Sequence, residues 1–166
     1  MTQKYNSSEK LLKPTKGIFK MYTLDDLGNE EVIIEKKNLI VNTSFDIISG
    51  CLLGDTNKQI NTIKIGDGGI INGVQQPPKL TDTSLYHEIF SKTGLDNTVI
   101  EKVLFPNYIN FNFVISKDEA NGTGSEIVNE AALASNDGTI FSRLTFPENI
   151  KTPQKQISIS WRLIYE

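Results

Sequence analysis

The cleanest alternation of apolar and polar residues in the chain runs from Tyr108 to Ser116, YINFNFVIS. Ile109, Phe111, Phe113 and Ile115 fall on one side and Tyr108, Asn110, Asn112 and Val114 on the other, the period of two that sets one face of a strand against a core. With Asn interleaved on the opposite side, Phe111 and Phe113 read as core aromatics. Thr98 to Phe105 (TVIEKVLF), rich in β-formers and ended by Pro106-Asn107, predicts a partner strand. The last forty-odd residues, Ser125 to Glu166, continue as three extended segments: EIVNEAALAS, TIFSRLTF and QISISWRLIYE. Asn136-Asp137-Gly138 marks a hairpin between the first two, because Asp-Gly tolerates the positive φ of a tight turn. Pro147 and Pro153 lack an amide hydrogen and predict that the second joint lies outside a central strand. In the final segment Ile157, Ile159, Trp161 and Leu163 share the inward side, so Trp161 is expected in the core or at a subunit interface.

Upstream the same period recurs. Gly17 to Leu24 (GIFKMYTL) and Val32-Ile33-Ile34, joined by the turn cluster Asp25 to Asn29, predict a hairpin over residues 17–35, with a third short run at Leu39-Ile40-Val41. At Ser44 the period lengthens. Phe45, Ile47, Ile48, Cys51 and Leu52 sit at helical spacings behind a Thr43 or Ser44 N-cap, predicting one short helix over Ser44 to Leu53 with Cys51 on its apolar side. Ile60 to Ile65 (INTIKI) is a further strand. It ends in Gly66-Asp67-Gly68-Gly69, and Asn72-Gly73 and Gln75-Gln76-Pro77-Pro78 extend that run into a long polar surface loop. Asp82 or Thr83 is placed to cap a helical turn carrying Leu85 and Ile89 inward. Regularly spaced strands without a βα alternation predict an all-β fold, an antiparallel, jelly-roll-like β-sandwich of about eight strands with one short helix. Residues 1–14 are polar and read as a loose arm, and residues 15–166 as a single sandwich domain.

Composition narrows function mainly by exclusion. Seventeen Lys and Arg against twenty Asp and Glu give a net charge of −3, which supplies no drive towards nucleic acid or an anionic membrane. No apolar run approaches the roughly 20 residues that span a bilayer, and the polar start MTQKYNSSEK is no secretory signal, so synthesis in a cytoplasm is expected. Cys51 is the single cysteine and His87 the single histidine. One histidine without a cysteine cluster makes no zinc site, and no nucleophile-elbow pattern accompanies it. Gly66 to Gly69 lacks the Lys-Ser/Thr of a P-loop and the acidic series of an EF-hand. Arg143 stands mid-strand, between Phe141 and Thr145 on a common face. An arginine among apolar neighbours needs a carboxylate, and Glu130, across the expected hairpin, is the natural structural partner.

The order of these motifs resembles that of small structural proteins of tailed bacteriophages and phage-tail-like particles. An IxxIxxGxG strand-loop (Ile60, Ile63, Gly66, Gly68) is followed by a TDTxL turn (Thr81, Asp82, Thr83, Leu85) and a phenylalanine-rich strand (Tyr108 to Ile115). Then come ExxNExxL (Glu126, Glu130, Leu133), GxxFxRxxF (Gly138, Phe141, Arg143, Phe146) and a terminal strand with Lys151 or Lys155, Trp161 and Tyr165. The likeness covers about Thr43 to Glu166. It implies a non-enzymatic virion protein, made in the bacterial host and carried in the virion. Such a subunit acts as a tail, collar or adaptor component through self-association and docking to other virion proteins, without cofactor, metal, nucleic acid or membrane. Capsid decoration is the alternative position on the particle. The glycine loop here is longer than the GxG form and holds Pro77-Pro78. Its residues Gly66, Asp67, Gly68, Gly69, Asn72, Gln75, Gln76, Pro77 and Pro78 are the candidate subunit contacts, with the arm as a second contact. A carbohydrate- or receptor-binding module on a host surface glycan is a reading of another class, for which Tyr86 and Tyr108 are the available aromatics. A glycan hydrolase would need a carboxylate pair, and nothing in the sequence selects one from Asp67, Glu88, Asp118, Glu119 and Glu126.

Overall fold

The computed structural model describes residues 16–24, 27, 29–94, 100–104, 107–124 and 126–165, with the side chains of 100–104 outside the description. The expected arm therefore lies outside the described residues, as does most of the first turn cluster. In chain order the elements are β1 (Lys16–Leu24), β2 (Glu30–Ile40), α1 (Ser44–Leu52), a 3₁₀ turn (Thr56–Lys58), β3 (Ile60–Gly66), β4 (Ile70–Ile71), β5 (Val74–Gln75), β6 (Glu88–Thr93), β7 (Ile100–Leu104), β8 (Tyr108–Ile115), β9 (Glu126–Ser135), β10 (Ile140–Lys151) and β11 (Ile157–Ile164). Nine strands form one antiparallel sheet in the order β6-β3-β9-β10-β2-β1-β11-β8-β7, and β4 pairs with β5 alone.

The sheet folds over at a short junction between β2 and β10. β2 pairs with β1 from Gly17↔Asn38 to Leu24↔Glu30, but with β10 only at Ser142↔Ile40 and Arg143↔Leu39. About this line the two halves close on one another. Phe19 of β1 stacks on Phe146 of β10 with centroids 5.7 Å apart and meets Trp161 of β11 edge-on at 5.1 Å. The core joins Met21, Phe111, Phe113, Ile159 and Trp161 from one half to Ile63, Leu133, Phe141 and Leu144 from the other. The fold is thus the expected all-β, sandwich-like one, its two layers being halves of a single sheet. At the far side Lys92 of β6 donates to the Val114 carbonyl at 2.9 Å and pairs with Glu119 at 2.6 Å, drawing the sheet's ends together.

Four local expectations are corrected. Val32-Ile33-Ile34 and Leu39-Ile40 belong to one eleven-residue strand that passes straight through Glu35-Lys36-Lys37, charges tolerated because β2 is exposed on both faces at these three positions. β10 runs through Pro147, where the pairing with β9 is interrupted between Thr145 and Asn149, so the missing amide breaks no ladder bond. Residues 81–87 form no helical turn; they leave a tight turn at 79–82 and run irregularly, with bends, into β6, where Ile89 lies, while Leu85 is buried in a second small core. Finally, α1 buries only Ser44 and Ile47, with Ile48 partly covered, and Cys51 is exposed. Cys51 follows Ile47 by four residues and shares its stripe, but it stands in the last turn of the helix, where it is exposed; its thiol donates to the Lys58 carbonyl at 3.2 Å. The Thr43 hydroxyl, expected as a cap, donates instead to the Ile140 carbonyl at 2.5 Å.

Candidate functional site

Both faces of β9 from Val128 onward and of β10 as far as Phe146 are buried. Leu133, Ala131 and Leu144 turn into the main core, whereas Ala132, Ala134 and Ile140 pack with Val41 and Leu85 on the other side. A bulge sets this division. Ile140 opposes Ala134 but Ser142 already opposes Leu133, so Phe141 is an inserted residue. Simple alternation put Phe141, Arg143 and Thr145 on one face. The bulge sends Phe141 to the main core and leaves Arg143 and Thr145 on the outer face, Arg143 opposite Ala132 and Thr145 opposite Glu130. Glu130 is therefore diagonal to Arg143, within reach of a long side chain.

Glu130 and Arg143 are 0% and 1% exposed, and Arg143 Nη2 donates to Glu130 Oε2 at 2.7 Å. Charges this deeply buried need further partners. Arg143 Nη1 donates to Asp82 Oδ2 at 2.9 Å and to the Ser84 carbonyl at 2.8 Å. Its guanidinium lies 4.3 Å over the Tyr86 ring. Glu130 also accepts the amide hydrogens of Tyr86 at 3.0 Å and His87 at 2.8 Å. Asp82, Ser84, Tyr86 and His87 all belong to the long segment after β3, so the ion pair clamps that segment to the sheet. Sequence reasoning reached Glu130 and Arg143 but missed Asp82, which lies 61 residues from Arg143 in the chain.

The glycine run completes the clamp. A Cβ on Gly66 would stand 2.2 Å from the His87 carbonyl oxygen, on Gly68 2.6 Å from the His87 nitrogen, and on Gly69 2.5 Å from the Asn129 carbonyl oxygen. Gly69 N also donates to Asn129 Oδ1 at 2.7 Å. Of the candidate contacts, then, Gly66 and Gly69 are turned inward against the chain's own sheet, with Gly68 packed beside His87 and Glu130, and do not form an outward surface. Gln75 donates from Nε2 to the Thr145 carbonyl at 2.9 Å, the Thr145 hydroxyl donates to the Gln76 carbonyl at 2.7 Å, and Gln76 N donates to the Gly69 carbonyl at 2.8 Å. Pro77 accepts from the Tyr86 hydroxyl at 3.3 Å, and Pro78 is half-buried beside it. What projects is the β4–β5 hairpin. Asn72 and Gly73 turn it at φ values of 51° and 75°, and Ile71 faces Val74 across it, both exposed. The loop expected to be polar thus ends in an apolar tip on a fixed base.

The remaining candidates are engaged singly. His87 Nδ1 lies 2.5 Å from Asp67 Oδ1, and the carboxylate raises the imidazole pKa above its ordinary value. Glu88 pairs with Lys64 at 2.8 Å. Asp118 accepts from the Ser116 hydroxyl at 2.7 Å and Glu119 from Ser116 N at 2.9 Å. Tyr108, like Tyr86, has a guanidinium over its ring, that of Arg162 at 4.5 Å. Buried Lys151 donates to Asn121 Oδ1 at 2.8 Å and to the carbonyls of Thr152 at 3.0 Å and Lys117 at 3.3 Å, and burial lowers its pKa. This places an ammonium inside the turn of residues 117–121. Among the described residues no three His, Cys, Asp or Glu side chains are grouped to hold a metal, and no helix is long and apolar enough to cross a membrane. No protein-family model, curated protein or solved structure matches the chain.

Proposed function

We propose that the chain is a structural subunit of a tailed-bacteriophage particle, a tail, collar or adaptor component that works by docking to copies of itself and to other virion proteins. The motif order from Ile60 to Tyr165 first suggests this reading. The observation that carries it is the secured hairpin: the segment after β3 is held to the sheet by the Arg143–Glu130–Asp82 cluster at residues 82–87 and by Gln75 on Thr145 at the hairpin base, and it projects the exposed apolar pair Ile71 and Val74. A projection fixed before contact loses little conformational entropy on docking, which suits a subunit built for assembly. Its base is secured by Gln75 and Thr145, so the tip holds one orientation.

Antibody raised to the chain, gold-labelled and applied to particles purified from its source, tests the reading. Label at the neck or tail is expected. Label spread over the head would move the subunit to capsid decoration. Protein found free in the lysate with no label on any particle would overturn the virion assignment.

A further inference from the structure

We propose that copies of this chain join head to tail, the Ile71–Val74 hairpin tip of one copy seating on the outward face of α1 in the next. The inference rests on the assembly reading above and names the surface that receives the tip. Two apolar exposures on the one chain carry it. At the hairpin, Val74 is 63% and Ile71 49% exposed. On α1, Leu52 is 76% exposed, and Leu53, immediately beyond the helix, 88%. Phe45, seven residues before Leu52 and so on the same helical side, is 47% exposed. Gly54, at a φ of 82°, turns the chain away directly after this pair of leucines. Among the described residues both patches are exposed, so neither covers the other.

Charge pairs the two patches with each other and not each with itself. Exposed Lys79 follows the hairpin in the chain, and Lys36 donates to the Thr145 carbonyl that also receives Gln75, while the Asp67 carboxylate that precedes the hairpin is taken up by His87. The α1 patch is flanked by carboxylates. Asp46 and Asp137 share the single cation Lys58, at 2.5 and 2.8 Å, and exposed Asp55 stands beside them. Tip against tip would bring lysines together, and helix against helix would bring carboxylates together; tip on helix joins opposite signs. Both surfaces are also held from behind, the tip by the bonds of Gln75 to Thr145 and of Gly69 to Asn129, and α1 by the Lys58 bridges to the β9–β10 turn. A contact between two different patches leaves one of each unused at the ends, so it propagates to a ring or a filament.

The test is the molar mass of the full chain in solution, by light scattering across a concentration series, with two single variants. Val74→Glu removes the tip and Leu53→Glu the receiving face. Each is expected to weaken self-association by about thirtyfold or more. Mixed one to one, the two variants regain one intact contact and form a heterodimer that grows no further. Leu24→Glu removes a comparably exposed apolar side chain elsewhere and is expected to assemble as the unaltered chain does. Unchanged circular dichroism shows that the variants fold, and Ile71→Glu with Leu52→Glu repeats the experiment on separate positions. An unaltered chain that stays monomeric throughout would overturn the proposal, as would either variant assembling normally or a mixture that gives no heterodimer. Failure of the gold labelling would remove the virion reading and leave this result standing, so the two are separable.

Discussion

Arg143 brings a full charge to a position with 1% exposure, and its surroundings show what that requires: two carboxylates, one carbonyl and an aromatic face. Removing the cation leaves Glu130 buried without its counter-charge. Arg143→Met is therefore expected to cost about 3–5 kcal/mol, read as a lower midpoint in urea unfolding. A variant as stable as the parent would show that the cluster does not hold the segment. His87 gives a prediction that a single resonance can settle, since it is the chain's only histidine. Asp67 raises its pKa in the folded state. The stabilisation from this contact is then complete below the ordinary imidazole value of 6.5 and is lost as pH rises through the raised value. NMR titration is expected to show the elevated pKa, and Asp67→Asn to return it towards the ordinary value. The Glu130–Arg143 partnership was legible from charge and the expected hairpin. Asp82 was not, because nothing local marks a carboxylate so distant in the chain as its third member.

The elements differ in how far local pattern decides them. β8 and β11 kept the faces that alternation predicts, with Phe111, Phe113, Ile157, Ile159, Trp161 and Leu163 all buried. β10 did not, since the inserted Phe141 reverses the phase of everything after it. The β4–β5 hairpin lay unread within an apparently polar loop, although Asn72-Gly73 carries the composition of a tight primed turn. Gly73 holds a φ of 75° with nothing near its missing side chain, so Gly73→Ala meets backbone strain and no clash. About 1–2 kcal/mol of hairpin stability is expected to be lost, read as faster hydrogen exchange at the Gln76 amide, which donates across the hairpin base to Gly69. In α1 the helical spacing was legible but the face it buries was not. A period of 3.6 shows which residues lie together, while only the position of the sheet shows that Ile47 is covered and Phe45 and Leu52 are open.

On the scale of the molecule, stability is concentrated where the curled sheet closes on itself. Phe19 touches Phe146 from the opposite half and Trp161 from the neighbouring strand, and is fully buried. Phe19→Ala opens a cavity between the two halves and is expected to cost about 3–5 kcal/mol. The single Trp161 is its reporter. Buried emission in the parent and a cooperative red shift at lower denaturant in the variant are the expected result, and coincidence of that shift with loss of circular dichroism would show that both halves unfold as one unit.

The sequence by itself determined the β class, the strands with clean alternation and the need of Arg143 for a carboxylate. All three follow from local rules of period two, turn chemistry and the cost of burying charge. Tertiary structure alone decided that the two layers are halves of one sheet, that the bulge at Phe141 divides its residues between two cores, and that the glycine-rich segment is clamped down so that its apolar tip projects. Each of these depends on contacts between residues far apart in the chain, and a local pattern constrains which faces exist but not what comes to cover them.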